Sequence, residues 1–208
     1  MYTMTKVSNK KKNDMWQRMK TRCYNAEWQK KYGKHYIGHT VCQEWLEDKN
    51  AFYKWVDDHY YQIHGTQMDL DHNIKDLNNT VYSPDKCLFV PHDVNAFYET
   101  LRVGKYSIKQ TQDGRYKVKV ESIIWNGRSD LKLLDSLFGE FMCDSWNDAL
   151  NQFCVKKTLI NELYLYKYQG RIPREVYDAM CNLNVVALNA HLYHWDEPGT
   201  PTIYSHIA

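Results

Sequence analysis

The chain has 208 residues, of which 43% are hydrophobic and 25% are charged, and its formal net charge is +2. This composition is typical of a globular protein and excludes a disordered or fibrous chain. Because no apolar run is long enough to cross a bilayer and the N-terminus lacks the apolar core of a signal peptide, we expect a cytoplasmic protein with no membrane partner.

Helical periodicity dominates the N-terminal part of the chain. Apolar side chains recur at helical spacing over residues 14 to 24, and Asn13 or Asp14 is suited to cap the start of this helix. The next stretch, NAEWQKKYGKHYIGHT, is polar and aromatic with two glycines, which predicts a loop. Apolar positions in VCQEWLEDKNAFYKWVDDHYYQI predict a short helix and then a longer one, with the aromatic side chains in the core.

A strand, a loop, a second strand and a helix are predicted in the middle of the chain. The segment MDLDHNIKD alternates apolar and polar residues, so we expect a strand that ends at Asp71 and His72. A stretch rich in Asn, Asp, Ser and Pro then predicts a loop. After it, KCLFVP predicts the second strand and HDVNAFYETLR predicts the helix.

Strand patterns and turn signals return in the C-terminal half. Apolar and charged residues alternate over YKVKVE, and the dipeptides DG at 113–114 and NG at 126–127 mark tight turns. These signals predict a three-stranded antiparallel sheet. A long amphipathic helix ended by Gly170 and a further helix opened by Pro173 are expected to follow.

The predicted fold class is α+β. We expect a first domain at residues 1–103, with helices and the strand, strand and helix unit, and a second domain at residues 104–184, with the sheet packed on a long helix. Residues 185–208 are predicted as a tail. The six cysteines form no close pair such as CxxC, so free thiols are expected in a reducing compartment.

Positive charge is concentrated in two segments. Residues 1–34 contain ten Lys or Arg against two acidic residues, and residues 102–132 contain eight against three. Such segments are expected in a protein that contacts a polyanion in two places, because each neutralised phosphate releases a counterion. The alternative is a solvated charged surface with no ligand.

The end of the first strand and the start of the helix carry a candidate hydrolase site. Hydrolysis of a phosphodiester needs a hard divalent cation to stabilise charge on the phosphate and a base close to the attacking water. Oxygen ligands from Asp71 and Asn95 suit Mg²⁺, or Mn²⁺ in its place. His72 is a candidate base because an unperturbed histidine is largely neutral at about pH 7, although the loop must bend to bring it beside Asp71. The alternative is an ordinary surface loop.

The order of these segments resembles that of the phage-encoded HNH homing endonucleases. The matching segments are MWQRMKTRCYN, VCQEWLED, FYKWVDD and LDHNIKDLNNTVYSPDKCLFVPHDVNAF. The resemblance covers about residues 13–183 and implies that residues 1–103 hold a ββα-metal (HNH) nuclease domain. It implies these site residues: His72 as general base, Asp71 and Asn95 as metal ligands, Asp93 as an outer-sphere helper and His92 as an alternative ligand.

Residues 104–184 resemble the AP2-like DNA-binding domain found in the same proteins. The resemblance implies that the sheet lies in the major groove of double-stranded DNA, with basic and aromatic side chains facing the DNA. The candidate contacts are Arg115, Lys117, Lys119, Trp125 and Arg128. Trp125 is equally suited to the core, and the pleat orientation is needed to separate base contacts from phosphate contacts.

Two features depart from the family pattern. The middle Asn of the HNH motif should fall near Lys86 and Cys87 and is missing, which leaves the order of the loop open. Many relatives carry Lys in place of His beside the first Asp, which indicates that cleavage is easily lost, although this chain has the histidine. Cys23, Cys42 and Cys87 recur at matching places and are either core thiols or zinc ligands.

The resemblance implies a Mg²⁺-dependent DNA endonuclease. One site per chain would nick DNA, and a double-strand break would need a homodimer or two successive events. The alternative is a DNA-binding protein that no longer cuts and acts as a repressor, or interferes with another phage or host protein in the infected bacterial cell. A third interpretation, a protein scaffold with a plain basic surface, predicts no DNA binding.

Overall fold

The computed structural model describes residues 2–104, 107–120 and 139–194, which form helices and small sheets. The helices are α1 (Asn9–Tyr24), α2 (Ala26–Tyr32), α3 (Gln43–Glu47), α4 (Lys49–His59), α5 (His92–Tyr98), α6 (Trp146–Tyr168), α7 (Arg174–Cys181) and α8 (Val185–Leu188). The strands are β1 (Thr3–Met4), β2 (Thr40–Val41), β3 (Tyr61–Gln62), β4 (Met68–Asp71), β5 (Val81–Tyr82), β6 (Leu88–Pro91), β7 (Ile108–Gln110), β8 (Tyr116–Val120) and β9 (Gly139–Cys143). The fold is mixed α+β, which confirms the predicted class.

The described strands form four small sheets. β1 pairs antiparallel with β3, β2 pairs parallel with β5, and β4 pairs antiparallel with β6. β8 is the central strand of the antiparallel sheet β7-β8-β9. The β4–β6 pair leads directly into α5, so the two predicted strands and the helix are present in that order, but the stretch predicted as a loop between the strands contains β5.

The described chain divides into two compact units. The first comprises Met1–Asn95 and Gln169–Met180, and the second comprises the described parts of Ala96–Tyr168 and Cys181–Ala208. The boundary between the units therefore falls before residue 96, whereas the sequence predicted a domain boundary after residue 103. The first unit includes most of α7, where Val176 is buried and Glu175 forms an ion pair of 2.5 Å with Lys75.

Aromatic residues form much of the core of the first unit. Trp45 and Phe52 are fully buried, with their ring centroids 4.9 Å apart, and Trp55 lies 5.0 Å from Trp45. Phe89 of β6 packs against Trp55 at 5.4 Å. The prediction that these aromatic side chains belong to the core is confirmed. Burial of such large apolar surfaces is a main stabilising contribution to folding.

The N-terminal helices differ from the prediction. α1 begins at Asn9, and Ser8 rather than Asn13 or Asp14 is its cap, accepting a hydrogen bond from the Lys11 amide at 3.3 Å. The stretch predicted as a loop contains α2, whose cap Asn25 accepts from the Trp28 amide at 2.9 Å. The predicted loop was wrong because one Asn both ends α1 and starts α2.

In the second unit, the sheet packs on the long helix α6. Val118 and Val120 of β8 are buried, as are Phe153 and Ile160 of α6, which agrees with the predicted sheet and helix. Trp125 and the NG turn lie outside the described residues.

Residues 185–194, predicted as part of a tail, pack within the second unit. Asn189 is fully buried, and its Nδ2 donates to the carbonyl groups of Leu101 at 3.1 Å and Val185 at 2.9 Å. Its Oδ1 accepts from the Val103 amide at 3.0 Å. A single buried amide thus satisfies backbone groups on two segments, which ties α8 to the segment that follows α5.

All six cysteines of the chain are free, and Cys181 is the exposed one. Burial raises the pKa of Cys23 to about 11, so its thiol is protonated at neutral pH. Among the helices that the structure describes, none is long and apolar enough to cross a membrane.

Candidate functional site

Polar side chains converge on Asp69 where β4 and β6 meet the start of α5. Asp69 Oδ2 lies 2.6 Å from His92 Nδ1 and accepts from Asn95 Nδ2 at 3.2 Å, and Oδ1 accepts from Gln67 Nε2 at 3.2 Å. We call Gln67, Asp69, His92 and Asn95 the Asp69 cluster. Two predicted site residues, His92 and Asn95, therefore lie together, and both contact the carboxylate of Asp69.

The register of the β4–β6 pair places this cluster. Asp69 lies opposite Val90, two residues before α5 begins at His92. The His92 amide donates to the Gln67 carbonyl at 2.9 Å, which fixes the start of the helix against β4. Asn95 follows one helical turn after His92, so both side chains lie on the face nearest Asp69.

The hydrogen bonds of the cluster define the protonation state of Asp69. Burial disfavours its charged form, but the hydrogen bonds from His92, Gln67 and Asn95 outweigh this effect and hold its pKa below the usual value. In the neutral imidazole, a proton on Nδ1 that is donated to the ionised Asp69 leaves Nε2 as the acceptor. The His92 side chain is 56% exposed, so water can reach this nitrogen.

Asp71, the predicted metal ligand, is buried at the end of β4. Its Oδ1 accepts from the amides of Asn73 at 2.8 Å and Ile74 at 2.6 Å, which orders the turn that follows the strand. Asp93, the predicted helper, accepts from the Val94 amide at 3.0 Å. The roles of Asp71 and Asp93 at a metal stay predictions.

His72, the predicted base, is only 5% exposed. Its ring stacks on Tyr82 with centroids 4.1 Å apart, and within the described residues its buried Nε2 has no hydrogen-bond partner. Burial lowers its pKa to about 3, and the neighbouring charges of His39, Arg22 and His35 contribute. His72 is thus neutral, as a base must be, but enclosed, and its catalytic role stays a prediction.

Asn79 orders the loop between β4 and β5. Its Nδ2 donates to the His72 carbonyl at 2.5 Å and to the Val81 carbonyl at 2.8 Å. Asn79 thus connects the end of β4 to the start of β5. No local signal in the sequence points to this role of Asn79, because the loop contains several Asn residues and only the folded loop selects one.

Replacement of Asn79 by Ala is expected to lower the free energy of unfolding by about 1–3 kcal/mol, because two carbonyl groups lose their donor. Urea unfolding of Asn79→Ala and of Asn78→Ala, an exposed neighbour, would measure the difference. Equal stability of the two variants would show that the loop is ordered by other contacts.

A groove lies between α1 and β4, and we call it the α1 groove. Its volume is about 360 Å³, and Asp69 and Tyr82 contribute to its lining. Lys11, Arg18 and Arg22 also line it from one face of α1. The predicted helix over residues 14–24 begins after Lys11, so the position of Lys11 on the same face as Arg18 and Arg22 was not predicted.

The predicted DNA-contacting residues of β8 share one face of the sheet. Lys117 and Lys119 alternate with the buried Val118 and Val120, so they lie on the face opposite the core. Lys109 of β7 pairs with Lys117 in the ladder and therefore lies on the same face. Lys109 was not among the predicted contacts, because the pairing of two strands is not visible in the sequence of one strand.

Other predicted contacts have different surroundings. Arg115 Nη2 forms an ion pair of 2.7 Å with Asp113 in the turn before β8. Lys117 forms an ion pair with Glu140 of β9. Trp125 and Arg128 lie outside the described residues.

The donor set of the Asp69 cluster fits a hydrated Mg²⁺ ion. It offers one carboxylate, two amides and one imidazole, and Mg²⁺ is usually held by few protein groups and several waters. No group of three or more His, Cys, Asp or Glu residues in the described ranges is arranged to hold a metal, and this includes Cys23, Cys42 and Cys87.

Comparison of the chain with protein-family models, curated proteins and solved structures gives no match. The likeness to HNH endonucleases therefore stays a resemblance of sequence segments, and function has to be argued from the site itself.

Proposed function

We propose that this protein is a metal-dependent DNA endonuclease of the HNH type, with the Asp69 cluster as its active site. The observation that supports this function most directly is the convergence of Asp69, His92 and Asn95 at the junction of two antiparallel strands and a helix. The positively charged α1 groove beside Asp69 supplies a surface for a phosphate backbone.

Each residue of the cluster has a role in this proposal. Asp69 orients His92 through Nδ1, and the exposed Nε2 of His92 takes a proton from the attacking water. Asp69 and Asn95 would hold a Mg²⁺ ion. When bound, this ion stabilises negative charge on the scissile phosphate and on the departing oxygen.

The exposed face of the β7-β8-β9 sheet is the proposed second DNA contact. Lys109, Lys117 and Lys119 place three positive charges on it, with Glu140 as a negative neighbour of Lys117. Such a face gains affinity mainly from phosphate contacts, which position the protein without reading the sequence.

Replacement of Lys109 or Lys119 by Ala is expected to weaken DNA binding and to lower the slope of log affinity against log salt by about one unit each. Fluorescence anisotropy with a duplex at several salt concentrations would measure both quantities. Lys54→Ala is the matched control, because Lys54 is an exposed lysine that pairs with Asp58 in the first unit. A sheet variant whose slope equals that of the control would contradict the proposed interface.

A second candidate function is DNA binding without cleavage. It is favoured by the burial of His72 and by the hydrogen bonds that Asp71 makes to loop amides. Both residues of the motif that gives the family its activity then have roles in folding, as expected for a repressor or an interfering protein.

Incubation of supercoiled DNA with the protein, in Mg²⁺ or in chelator, separates the two functions. Nicked or linear DNA that requires the metal would support the endonuclease. Intact DNA in both conditions, together with a salt-sensitive gel shift, would support the binding protein and would refute cleavage.

A further inference from the structure

Arg22 of α1 packs against two aromatic side chains, Tyr82 and Tyr36. It is half-buried at the inner part of the α1 groove. Its Nη1 lies 3.4 Å from the Tyr82 hydroxyl, and its Cζ lies 5.2 Å from the centroid of the Tyr36 ring. These contacts hold the planar guanidinium group against two aromatic side chains, which is a favourable but uncharged environment.

No carboxylate neutralises Arg22 within the part of the chain that the structure describes. Asp69 interacts with it only at longer range, and the oxygens of Asp69 accept from Gln67, His92 and Asn95. Burial raises the pKa of Tyr82, so its hydroxyl is neutral. Burial alone would lower the pKa of Arg22, but its contacts with Tyr82 and Tyr36 and the more distant Asp69 charge raise it overall, so the guanidinium group is charged. A half-buried cation that no described carboxylate contacts directly is suited to bind an anionic ligand.

Two further cations line the same groove. Arg18 is exposed and lies one helical turn before Arg22 on the same face of α1. Lys11 lies further toward the start of the helix, and its Nζ donates to the Tyr60 hydroxyl at 2.6 Å. The acidic residues of the lining are Asp14 and Asp69. The two arginines therefore line the α1 wall of the groove, and Asp69 lines the wall formed by β4.

We propose that the α1 groove is a phosphate-binding site in which Arg22 and Arg18 bind the anion. Guanidinium groups suit phosphate because two parallel N–H donors match two of its oxygens. The inference deepens the proposed function and rests on it in one respect: the ligand is taken to be a backbone phosphate next to the scissile one. The ligand class itself, a phosphate monoester or diester, follows from Arg22 and Arg18 alone.

The test measures phosphate binding without cleavage. The full chain is heated in chelator at constant ionic strength, with chloride replaced stepwise by inorganic phosphate or by a thymidine dinucleotide, which carries one phosphodiester. The rise of Tm with concentration gives an apparent affinity. Arg22→Gln is expected to weaken this affinity at least tenfold and Arg18→Gln severalfold.

Arg174→Gln is the matched control and is expected to stay within twofold of the wild type, because Arg174 is an exposed arginine outside the groove. If Arg22→Gln does not fold, the affinity of Arg18→Gln, a variant at an exposed position, is compared with that of the wild type instead. Equal affinities of the wild type and both groove variants, or no stabilisation beyond that by chloride, would overturn the site. Tighter binding of inorganic phosphate than of the dinucleotide would overturn the assignment to a backbone phosphate.

Asp69→Asn separates this inference from the proposed function. The variant is expected to lose cleavage and to bind phosphate at least as tightly as the wild type, because it removes a negative charge from the groove. Phosphate binding by a protein that never cuts DNA would refute the proposed endonuclease function but would still support the phosphate-binding site. Cleavage that needs Asp69, together with phosphate binding that does not change in the Arg22 and Arg18 variants, would refute the phosphate-binding site but not the endonuclease function.

Discussion

His92→Ala is expected to reduce the rate of DNA cleavage at least about a hundredfold, whereas His72→Phe is expected to keep most of it. A positioned general base contributes typically about 10²–10⁴-fold, and His92 is exposed and oriented by Asp69. His72 is enclosed against Tyr82, where a phenyl ring can replace it. The measurement is the rate of nicking of supercoiled DNA in Mg²⁺.

Two controls make this comparison decisive. Gel shifts in chelator should be similar for both variants, since neither change removes a proposed DNA contact. Asp69→Asn should resemble His92→Ala, because the imidazole loses its oriented proton acceptor. The reverse result, in which His72→Phe abolishes cleavage and His92→Ala keeps it, would restore His72 as the base and would require the loop after β4 to open.

The wild-type protein is expected to lose stability on the order of 3 kcal/mol between pH 7 and pH 4 because of His72 alone. In the folded protein its pKa is lowered to about 3 by burial and by the nearby His39, Arg22 and His35, whereas the unfolded chain has a value near 6.5. Below pH 6.5 the unfolded state therefore binds the extra proton. Stability falls as the pH falls from 6.5 toward 3.

Urea unfolding of the wild type and of His72→Phe over this pH range would measure the effect. Carboxylates and the other histidines titrate in both proteins, so the difference between the two curves isolates His72. We expect the variant to gain stability relative to the wild type as the pH falls. Parallel curves would mean that the histidine is accessible in the native state, which would also favour its role as the base.

The elements around the site were predicted well because their signals are local. Alternation identified β4 and the β8 strand, the DG dipeptide identified the turn before β8, and the 3.6-residue period identified α6. Capping was predicted less well. Ser8 and Asn25 start two helices, and each is one of several Ser and Asn residues whose capping role depends on the backbone on both sides.

The sequence by itself determined that an acidic strand, a loop, a second strand and a polar helix start would follow one another, because period and turn chemistry act over a few residues. Only the tertiary structure decided which carboxylate meets the helix. Asp69 and Asp71 share one face of β4 by the two-residue period, so the pattern cannot choose between them.

The choice is made by register and loop closure. Pairing with β6 sets Asp69 against the start of α5, and the turn after β4 takes the Asp71 carboxylate for its own amides. Packing against Tyr82 encloses His72. His92, at the start of α5, stays exposed. These outcomes depend on contacts between residues far apart in the chain, which a single sequence does not specify.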